Sequence, residues 1–421
     1  MSTAPPKKSW AVLAYTIAED PSSSSLLDTS ARLELKAICD AADFRQVSVA
    51  AQVDFQKTRG IYRGAVTDLP PPSRGFKDLV DPAKHELWQK ILSGVDLDAT
   101  RVKVQREAAD LNAADADVLQ AFLQFGEEQC PAARYVVSFF GHAAGPLGVF
   151  SDVAHGTTVH DILRLPGLVR AFRASGRKAS VIVFRDCFMN CLEAAYQLRH
   201  SAEFVVATQA LAPATGAWPW QGFMASLTTE ASSYEAGLGV ARALAAYLDE
   251  ADHRSGFHAV PFSLLDLSAM DEVAAKLGAL ADALEAARRD PARARACGKA
   301  LEASRVGSPS SASVPGDPAL LDVPTMCARL AALRGDPVST AAVALGRVVQ
   351  GKLVRWHHSQ TKDHLGTSIF YKPATAQQVE DSYLQASDET VANEDAAEYR
   401  ALALSKATGW QRIALDPLPI D

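Results

Sequence analysis

A histidine and a cysteine each follow a strongly apolar run of the sequence. The run 134–140 leads to His142, and the run 180–185 leads to Cys187. A thiol attacks only as the thiolate, and a neighbouring imidazole can lower its pKa and later give a proton to a leaving amine. The two residues could therefore act as nucleophile and general acid/base. The alternative is that Cys187 is an ordinary buried cysteine and His142 a loop residue, since free cysteine is among the most buried residue types.

Both runs have the composition of strands that are buried on two faces of a parallel sheet. β-Branched and aromatic residues dominate them, with little polar alternation. In open α/β sheets, ligands bind outside the carboxyl ends of the strands, where the histidine and the cysteine could meet. Their separation of 45 residues (187 − 142) is enough for one crossover helix between neighbouring strands. The sequence therefore predicts an α/β fold whose site lies at the ends of these strands.

Composition limits the class of protein. A chain of 421 residues that is 48% hydrophobic can bury a large core, in one elaborated domain or two. The net charge of −7 and the lack of a pronounced basic run argue against a nucleic-acid partner. Residues 1–9 contain no apolar signal region, and the strand that follows is too short to anchor in a membrane. We therefore expect a cytoplasmic protein with no membrane partner.

Metal and disulfide chemistry have little support in the sequence. The six cysteines show no secreted-scaffold spacing, so we expect free thiols. Cys191 follows Cys187 by four residues, but no histidine pattern completes a closed ligand set, so no metal site is predicted.

Two phrases around the histidine and the cysteine resemble a known family. They are SFFGHAAG, residues 138–145, and FRDCFMNCLEAAY, residues 184–196. Together they are similar to the clostripain-like cysteine peptidases of the caspase clan, and weaker matching stretches extend from Trp10 to Trp410. The resemblance implies a caspase-like, mostly parallel sheet flanked by helices, with a C-terminal extension of helices and strands.

The resemblance and the local composition together suggest a domain organisation. Residues 1–288 would form the peptidase core. Residues 289–318, rich in Arg, Ala, Ser and Pro, would form a linker. Residues 319–421 would form a C-terminal extension that packs on the core.

The family resemblance also implies roles for individual residues. Cys187 would be the nucleophile and His142 the general acid/base, and water would hydrolyse the acyl-enzyme. The oxyanion would be held by the backbone N–H groups of Cys187 and Ala143, the latter standing where the family usually has glycine. The predicted substrate-binding residues are Arg185, Asp186, Thr208, Thr215 and Trp218. The loop 213–220 resembles a wall of the substrate pocket, although it could instead be a surface loop with one buried tryptophan.

Arg185 departs from the family pattern. The family usually has an acidic residue at this position, matched to Arg or Lys in substrates. Residues two apart on a strand face the same side, so Arg185 could line the pocket beside Cys187 and bind an acidic side chain. The alternative is that Arg185 pairs with a local carboxylate and that Asp186, one place along, selects a basic residue, because a one-residue shift reverses the facing. We favour an acidic residue before the cut and keep a basic one as the alternative.

Activation by proteolysis is a further expectation. Family members are often activated by self-cleavage after a basic residue between the two phrases, but residues 143–163 contain no Lys or Arg. If the chain is a zymogen that matures there, Asp152 or Asp161 is the candidate cut site. Otherwise another protease activates it, or no cut is needed.

The expected partners are a protein or peptide substrate and an activating protease. No cofactor is predicted. Calcium stays open, since some family members depend on it, although no calcium-loop pattern of spaced carboxylates is present. The alternative function is a catalytically silent caspase-like scaffold in a signalling or defence assembly, which the departures at Ala143 and Arg185 keep open.

Overall fold

The structure is a computed structural model. It describes residues 8–19, 26–41, 46–55, 61–66, 102–106, 111–152, 162–212, 217–255, 260–306, 316–359, 365–384 and 389–420. The chain divides into two compact units. Unit 1 comprises Met1–Ala143, Val149–Asp186 and Pro213–Tyr247, and unit 2 comprises Ala144–Gly148, Cys187–Ala212 and Leu248–Asp421.

The secondary structure alternates strands with helices over most of the described chain. The strands are β1 Lys8–Ala18, β2 Val47–Phe55, β3 Ile61–Val66, β4 Val102–Arg106, β5 Ala132–Phe140, β6 Gly148–Ser151, β7 Ile162–Arg164, β8 Ala179–Arg185, β9 Ala202–Thr208, β10 Phe262–Asp266, β11 Leu320–Asp322, β12 Val354–His358 and β13 Ser368–Phe370. The helices are α1 Leu26–Ala41, α2 Ala116–Gln129, α3 Leu165–Ser175, α4 Leu192–Leu198, α5 Trp220–Ala225, α6 Ser233–Ser255, α7 Met270–Ala287, α8 Pro291–Glu302, α9 Val323–Ala331, α10 Pro337–Val348, α11 Ala376–Glu380, α12 Glu389–Ala401, α13 Ala403–Thr408 and α14 Gln411–Ala414.

Six strands of unit 1 form a mostly parallel sheet in the order β8-β5-β1-β2-β3-β4. The first four are parallel to one another, and β3 and β4 continue the sheet with antiparallel pairing. Every residue of β8 is buried, as the unbroken apolar run predicted. In the register of β5 and β8, Phe140 is the partner of Arg185, so the two strands end at the same level.

Helix α2 shows how local sequence leads the chain into β5. The Asp115 side chain caps it by accepting a hydrogen bond from the backbone N–H of Asp117 at 2.6 Å. Its buried face includes Leu119 and Phe122, which are three residues apart. Gly126 allows the helix to approach β1 closely, because a Cβ there would lie 2.6 Å from a methyl carbon of Leu13. The helix therefore covers the sheet that positions the histidine.

Unit 2 contains antiparallel strands and most of the helices. Strand β10 pairs antiparallel with both β9 and β12. Strands β11 and β13 form a separate antiparallel pair. Among the described residues, no helix is long and apolar enough to cross a membrane.

The predicted linker differs most from the observed structure. Residues 291–302 form helix α8, which Asp290 caps by accepting hydrogen bonds from the backbone N–H groups of Ala292 and Arg293. The Asp-Pro pair that begins this helix is a helix-start signal, and it outweighs the surrounding Arg, Ser and Pro residues, whose composition alone favours a linker. Residues 307–315 of the predicted linker lie outside the described residues. The boundaries at 288 and 319 stay predictions, and the two units do not follow them.

Candidate active site

Cys187 is the least buried of the cysteines that the structure describes. It follows the end of β8 by two residues (187 − 185) and is only partly buried. The other described cysteines are buried, and burial raises the pKa of each thiol, to about 12 for Cys130 and Cys327. The remaining two are Cys191 and Cys297. A reactive thiol must be reachable and able to ionise, so Cys187 is the best placed of this group.

Backbone groups of residues 210 and 212 form hydrogen bonds with Cys187 and with the residue that follows it. The backbone N–H of Ala212 donates a hydrogen bond to the Cys187 Sγ at 3.3 Å. Such a donor favours a negatively charged sulfur. The next residue, Phe188, is held by a 3.0 Å hydrogen bond from its N–H to the Ala210 carbonyl.

Phe188 has a left-handed backbone, with φ of 60°. A non-glycine residue in this region is strained and persists only where its surroundings hold it. Gly145 packs directly against it, and a Cβ on Gly145 would lie 3.0 Å from the Phe188 carbonyl oxygen. The turn after the cysteine therefore depends on the absence of a side chain at Gly145.

Helix α4 follows the turn that contains Cys187. Helix α4 begins at Leu192, five residues after Cys187 (192 − 187), and Cys187 itself lies in a turn. The effect of a helix dipole falls off within the first turn, so α4 does little for the cysteine. The Ala212 N–H, in contrast, donates directly to the Cys187 sulfur.

Asn190 connects the turn that contains Cys187 to strand β9 and to the residues at the start of β13. Its backbone N–H donates to the Thr208 carbonyl at 2.9 Å, and its carbonyl accepts from the Ser368 N–H at 3.0 Å. Its side-chain Nδ2 donates to the Gly366 carbonyl at 2.6 Å. The Thr208 side chain is fully buried, and its Oγ1 accepts from the Ala210 N–H at 3.0 Å. Thr208, predicted to bind substrate, therefore supports the turn and offers no exposed group to a substrate.

Glu193 ties helix α4 to the C-terminal residues. The Oε1 atom of this fully buried side chain accepts from the Tyr399 hydroxyl at 2.6 Å and from the Phe370 N–H at 2.9 Å. Burial raises the pKa of the Glu193 carboxyl, and these two hydrogen bonds oppose the increase. Residues 366–370 and α12 thus hold the segment that follows Cys187.

His142 lies two residues beyond the end of β5 (142 − 140), in unit 1. It is partly buried, and its carbonyl accepts from the Phe150 N–H at 2.7 Å. Gly141 precedes it at a close approach, since a Cβ there would lie 3.2 Å from the Ile17 carbonyl oxygen. Ala143, the predicted oxyanion donor, is partly buried and forms a bridge with Val149.

Arg185 is paired with a carboxylate that the sequence analysis did not identify. Its Nη1 lies 2.6 Å from Oε2 of Glu34 in α1, and both side chains are buried, with 0% and 3% exposed. The same oxygen of Glu34 accepts from the Trp218 N–H at 2.8 Å. The guanidinium also lies over the rings of Phe140 and Trp218, at 4.2 Å and 5.5 Å from their centroids.

The position of Glu34 in α1 is the feature of the sequence that could have predicted a buried, paired carboxylate. It lies on the same face as Ala31, Leu35 and Ile38, which are all buried. A glutamate on an apolar helix face is rarely buried unless it has a partner. The alternative interpretation, in which Arg185 pairs with a carboxylate, agrees with this contact, but the partner is not local, because Glu34 is 151 residues away.

Asp186 does not offer an exposed charge for selecting substrates. It is fully buried, and burial raises the pKa of its carboxyl well above the usual value, while Arg185 and the backbone of Gly141 act in the opposite direction. Thr215 lies outside the described residues. Of the predicted substrate-binding residues, the structure brings together Arg185 and Trp218, and it does so around Glu34.

A group of buried carboxylates could hold a cation. Oxygen atoms of Glu19, Asp54 and Asp152 lie within 4.8 Å of one another. Oxygen donors of this kind suit calcium, but carboxylates close together are also common without a metal. One oxygen of Asp152 accepts from the Ala113 N–H at 2.7 Å, and only 2% of the residue is exposed. This burial argues against the expectation that Asp152 is an accessible cut site.

Comparisons with known proteins agree on one family. The model of the clostripain family of peptidases matches residues 90–313, just over half of the chain. A search of curated proteins finds no match. Among solved structures, a secreted C11 cysteine protease from Bacteroides thetaiotaomicron in complex with an irreversible peptide inhibitor is 16% identical, with a TM-score of 0.62, covering 96% of this chain and 99% of that one. An inactive zymogen C11 protease from Parabacteroides distasonis is also 16% identical, with a TM-score of 0.63 and the same coverage. The chain therefore has the predicted α/β fold of these proteins.

Proposed function

Because the chain belongs to the clostripain family and is a cysteine peptidase, we propose that Cys187 is its nucleophile and His142 its general acid/base. One observation carries this assignment. Phe140 and Arg185 are partners in the register of β5 and β8, and His142 and Cys187 each follow one of these partners by two residues. Both residues thus follow the same end of adjacent parallel strands in the chain, and sites in such sheets form at that end, which supports the proposal.

The proposed reaction is hydrolysis of a peptide bond through an acyl-enzyme. The Cys187 thiolate attacks the carbonyl carbon, and His142 gives its proton to the leaving amine. A water molecule, deprotonated by His142, then attacks the thioester and releases the acid and the free thiol. The backbone N–H groups of Ala143 and Cys187 are the proposed donors to the oxyanion.

Cleavage of a mixed peptide library tests the dyad. We expect the wild type to produce cuts that mass spectrometry detects, and both Cys187→Ala and His142→Ala to lose them by at least 1,000-fold. Cys297→Ala is the matched control, because it removes a buried thiol from helix α8. Cuts that persist in Cys187→Ala, or that disappear equally in Cys297→Ala, would contradict the assignment.

The residue preceding the cut needs a revised proposal. The acidic preference depended on an available guanidinium at Arg185, but Glu34 compensates that charge. The alternative basic preference depended on a charged Asp186, which is fully buried. We therefore propose that neither residue selects a charged side chain in the wild-type protein.

Glu34→Gln tests this proposal in the same library. The variant keeps the size of the side chain but removes the negative charge of Glu34 from beside Arg185. We expect the wild type to show no concentration of cuts after Asp or Glu, and the variant to gain such cuts if Arg185 reaches the substrate. Wild-type cuts that concentrate after Asp or Glu would restore the original acidic preference, and cuts after Lys or Arg would restore the basic one.

We also propose that the protein is made as a zymogen. The burial of Asp152 leaves Asp161 as the candidate cut site, and Asp161 lies outside the described residues. The intact mass of freshly purified and aged protein tests this, with Asp161→Ala as the variant that should stay uncut. Cytoplasmic location, an activating protease and calcium dependence stay predictions.

A further inference from the structure

Tyr383 is an exposed aromatic residue close to the turn that carries the cysteine. Its side chain is 58% exposed, the highest value among the large hydrophobic side chains that the structure describes as exposed. Its ring centroid lies 6.5 Å from that of Phe188, and the two rings are inclined by 31°. Phe188 directly follows Cys187 in the chain. The exposed ring of Tyr383 therefore lies beside the buried ring of the residue that follows the proposed nucleophile.

A buried carboxylate holds the backbone of Tyr383 in place. Asp317 is fully buried, and its Oδ2 accepts from the N–H groups of Tyr383 at 2.7 Å and Leu384 at 3.2 Å. Its Oδ1 accepts from the Ser382 hydroxyl at 2.8 Å and from the Ala319 N–H at 2.7 Å. Three of these four hydrogen bonds come from the segment 382–384, and hydrogen bonds to a buried carboxylate are among the strong ones, so the segment is held more firmly than an ordinary surface turn.

The neighbouring side chains point in opposite directions. Leu384 is 2% exposed and anchors the segment in the core of unit 2, while Tyr383 remains in solvent. A single exposed aromatic residue is common, but one on a fixed backbone loses little conformational entropy when it binds a partner. Tyrosine is also enriched among the residues that contribute most to binding.

We propose that Tyr383, backed by the ring of Phe188, forms a subsite for a bulky apolar side chain of the peptide substrate, aromatic or branched aliphatic, close to the cut bond. The proposal rests on the proposed function, since it places the substrate beside Cys187. An extended peptide advances about 3.3 Å per residue, so the residue bound here lies within a few positions of the cut. The flat ring of Tyr383 offers contact area to such a side chain but no charge to select a charged one.

Cleavage-site profiling with a mixed peptide library tests the subsite. We expect bulky apolar residues to be enriched about tenfold at one fixed position relative to the cut in the wild type, a value typical of an apolar pocket. Tyr383→Ala should lose this enrichment. Tyr383→Phe should keep it, because the ring and not the hydroxyl provides the contact.

Two controls separate a lost subsite from general damage. Val343→Ala removes another exposed apolar side chain, on helix α10, and should leave the profile unchanged. The rate of Cys187 alkylation by iodoacetamide should be the same in the wild type and in Tyr383→Ala, which reports an intact cysteine turn. Enrichment that survives in Tyr383→Ala, or its absence at every position in an active wild type, would overturn the proposal.

A separate binding measurement tests the subsite if the proposed peptidase function itself is wrong. If the wild type cuts no peptide, binding can still be measured by passing the library over immobilised Cys187→Ala protein and over Cys187→Ala/Tyr383→Ala protein. Enrichment of bulky apolar peptides on the first but not the second supports the subsite without catalysis. Equal retention on both contradicts it.

Discussion

The left-handed backbone of Phe188 depends on glycine at position 145, because a side chain there would meet Phe188. Gly145 has φ of 50° and approaches the Phe188 carbonyl, while Phe188 itself is held in the left-handed region. The residue before Phe188 is the proposed nucleophile, so small movements of this turn change the direction from which the sulfur attacks. Misplacement of a reacting group by about 1 Å can cost as much as 100-fold in rate.

We predict that Gly145→Ala lowers kcat by at least about tenfold. Gly176→Ala is the matched control, because Gly176 also has a left-handed backbone, with φ of 81°, but a Cβ there would meet nothing within 4 Å. Both variants should lose roughly 1 kcal/mol of stability from backbone strain. Kinetics with a cleaved peptide and urea unfolding measure the two effects. Equal activity in the two variants would show that the contact with Phe188 does not matter.

At the scale of elements, the turn after Cys187 is supported mainly by residues distant in sequence. Ser368 of strand β13 donates to the Asn190 carbonyl, and the carbonyl of Gly366, two residues before the strand, accepts from the Asn190 side chain. Helix α12 supplies the Tyr399 hydroxyl to Glu193. The C-terminal residues therefore support the proposed active site directly. Glu193 is central to this support, since it links α4 to both C-terminal elements.

Glu193→Gln should change how stability depends on pH. Burial raises the pKa of Glu193 above the usual 4.5, so in the pH range just above that value the folded state holds a proton that the unfolded state has released. The free energy of unfolding of the wild type therefore falls as pH rises through this range. Glutamine stays neutral and still accepts through its oxygen, so the variant should gain stability relative to the wild type as the pH rises above about 4.5.

Urea unfolding of both proteins across this pH range measures the difference. Glu235→Gln is the control, because the pKa shift at Glu235 has the opposite sign: hydrogen bonds from Ser232 lower the pKa of this carboxyl. Its effect should change with pH only below about 4.5. A wild-type to Glu193→Gln difference that is constant with pH would show that Glu193 stays ionised in the folded protein.

At the scale of the whole molecule, thiol accessibility reports global folding. Four described cysteines, Cys130, Cys191, Cys297 and Cys327, are buried, and Cys187 is partly exposed. Buried groups react only when the structure around them opens, with a free energy that can approach that of global unfolding. A thiol reagent should therefore separate the proposed nucleophile from the rest.

We predict one fast-reacting thiol in the native protein and four that react only on unfolding. The measurement uses a disulfide reagent that reports thiolate by absorbance, in a Cys39→Ser background because the Cys39 side chain lies outside the described residues. Adding Cys187→Ala should remove the fast phase and leave the slow one unchanged. A fast phase that remains would mean that one of the four buried thiols is more accessible than the structure indicates.

Local sequence was sufficient for the elements that carry the proposed dyad. The apolar runs predicted β5 and β8, and each run specifies that His142 or Cys187 follows its strand, because burial on both faces of a sheet imposes a recognisable composition on each strand separately. The family resemblance added the roles of the two residues. The register of the two strands, which places their ends at one level, came only from the structure.

Tertiary structure decided the environment of these residues. Arg185 has the same sequence context whether it faces a substrate or a carboxylate, and only the packing of α1 brings Glu34 to it across 151 positions. Asn190 meets Gly366 across 176 positions, and the burial of Asp152 depends on its neighbours in space. Periodicity reports which face of an element is buried but carries no information on which distant side chain will cover it. The sequence by itself thus determined that the candidate nucleophile and base each follow a buried strand. The tertiary structure determined which charged side chains near them are buried or paired.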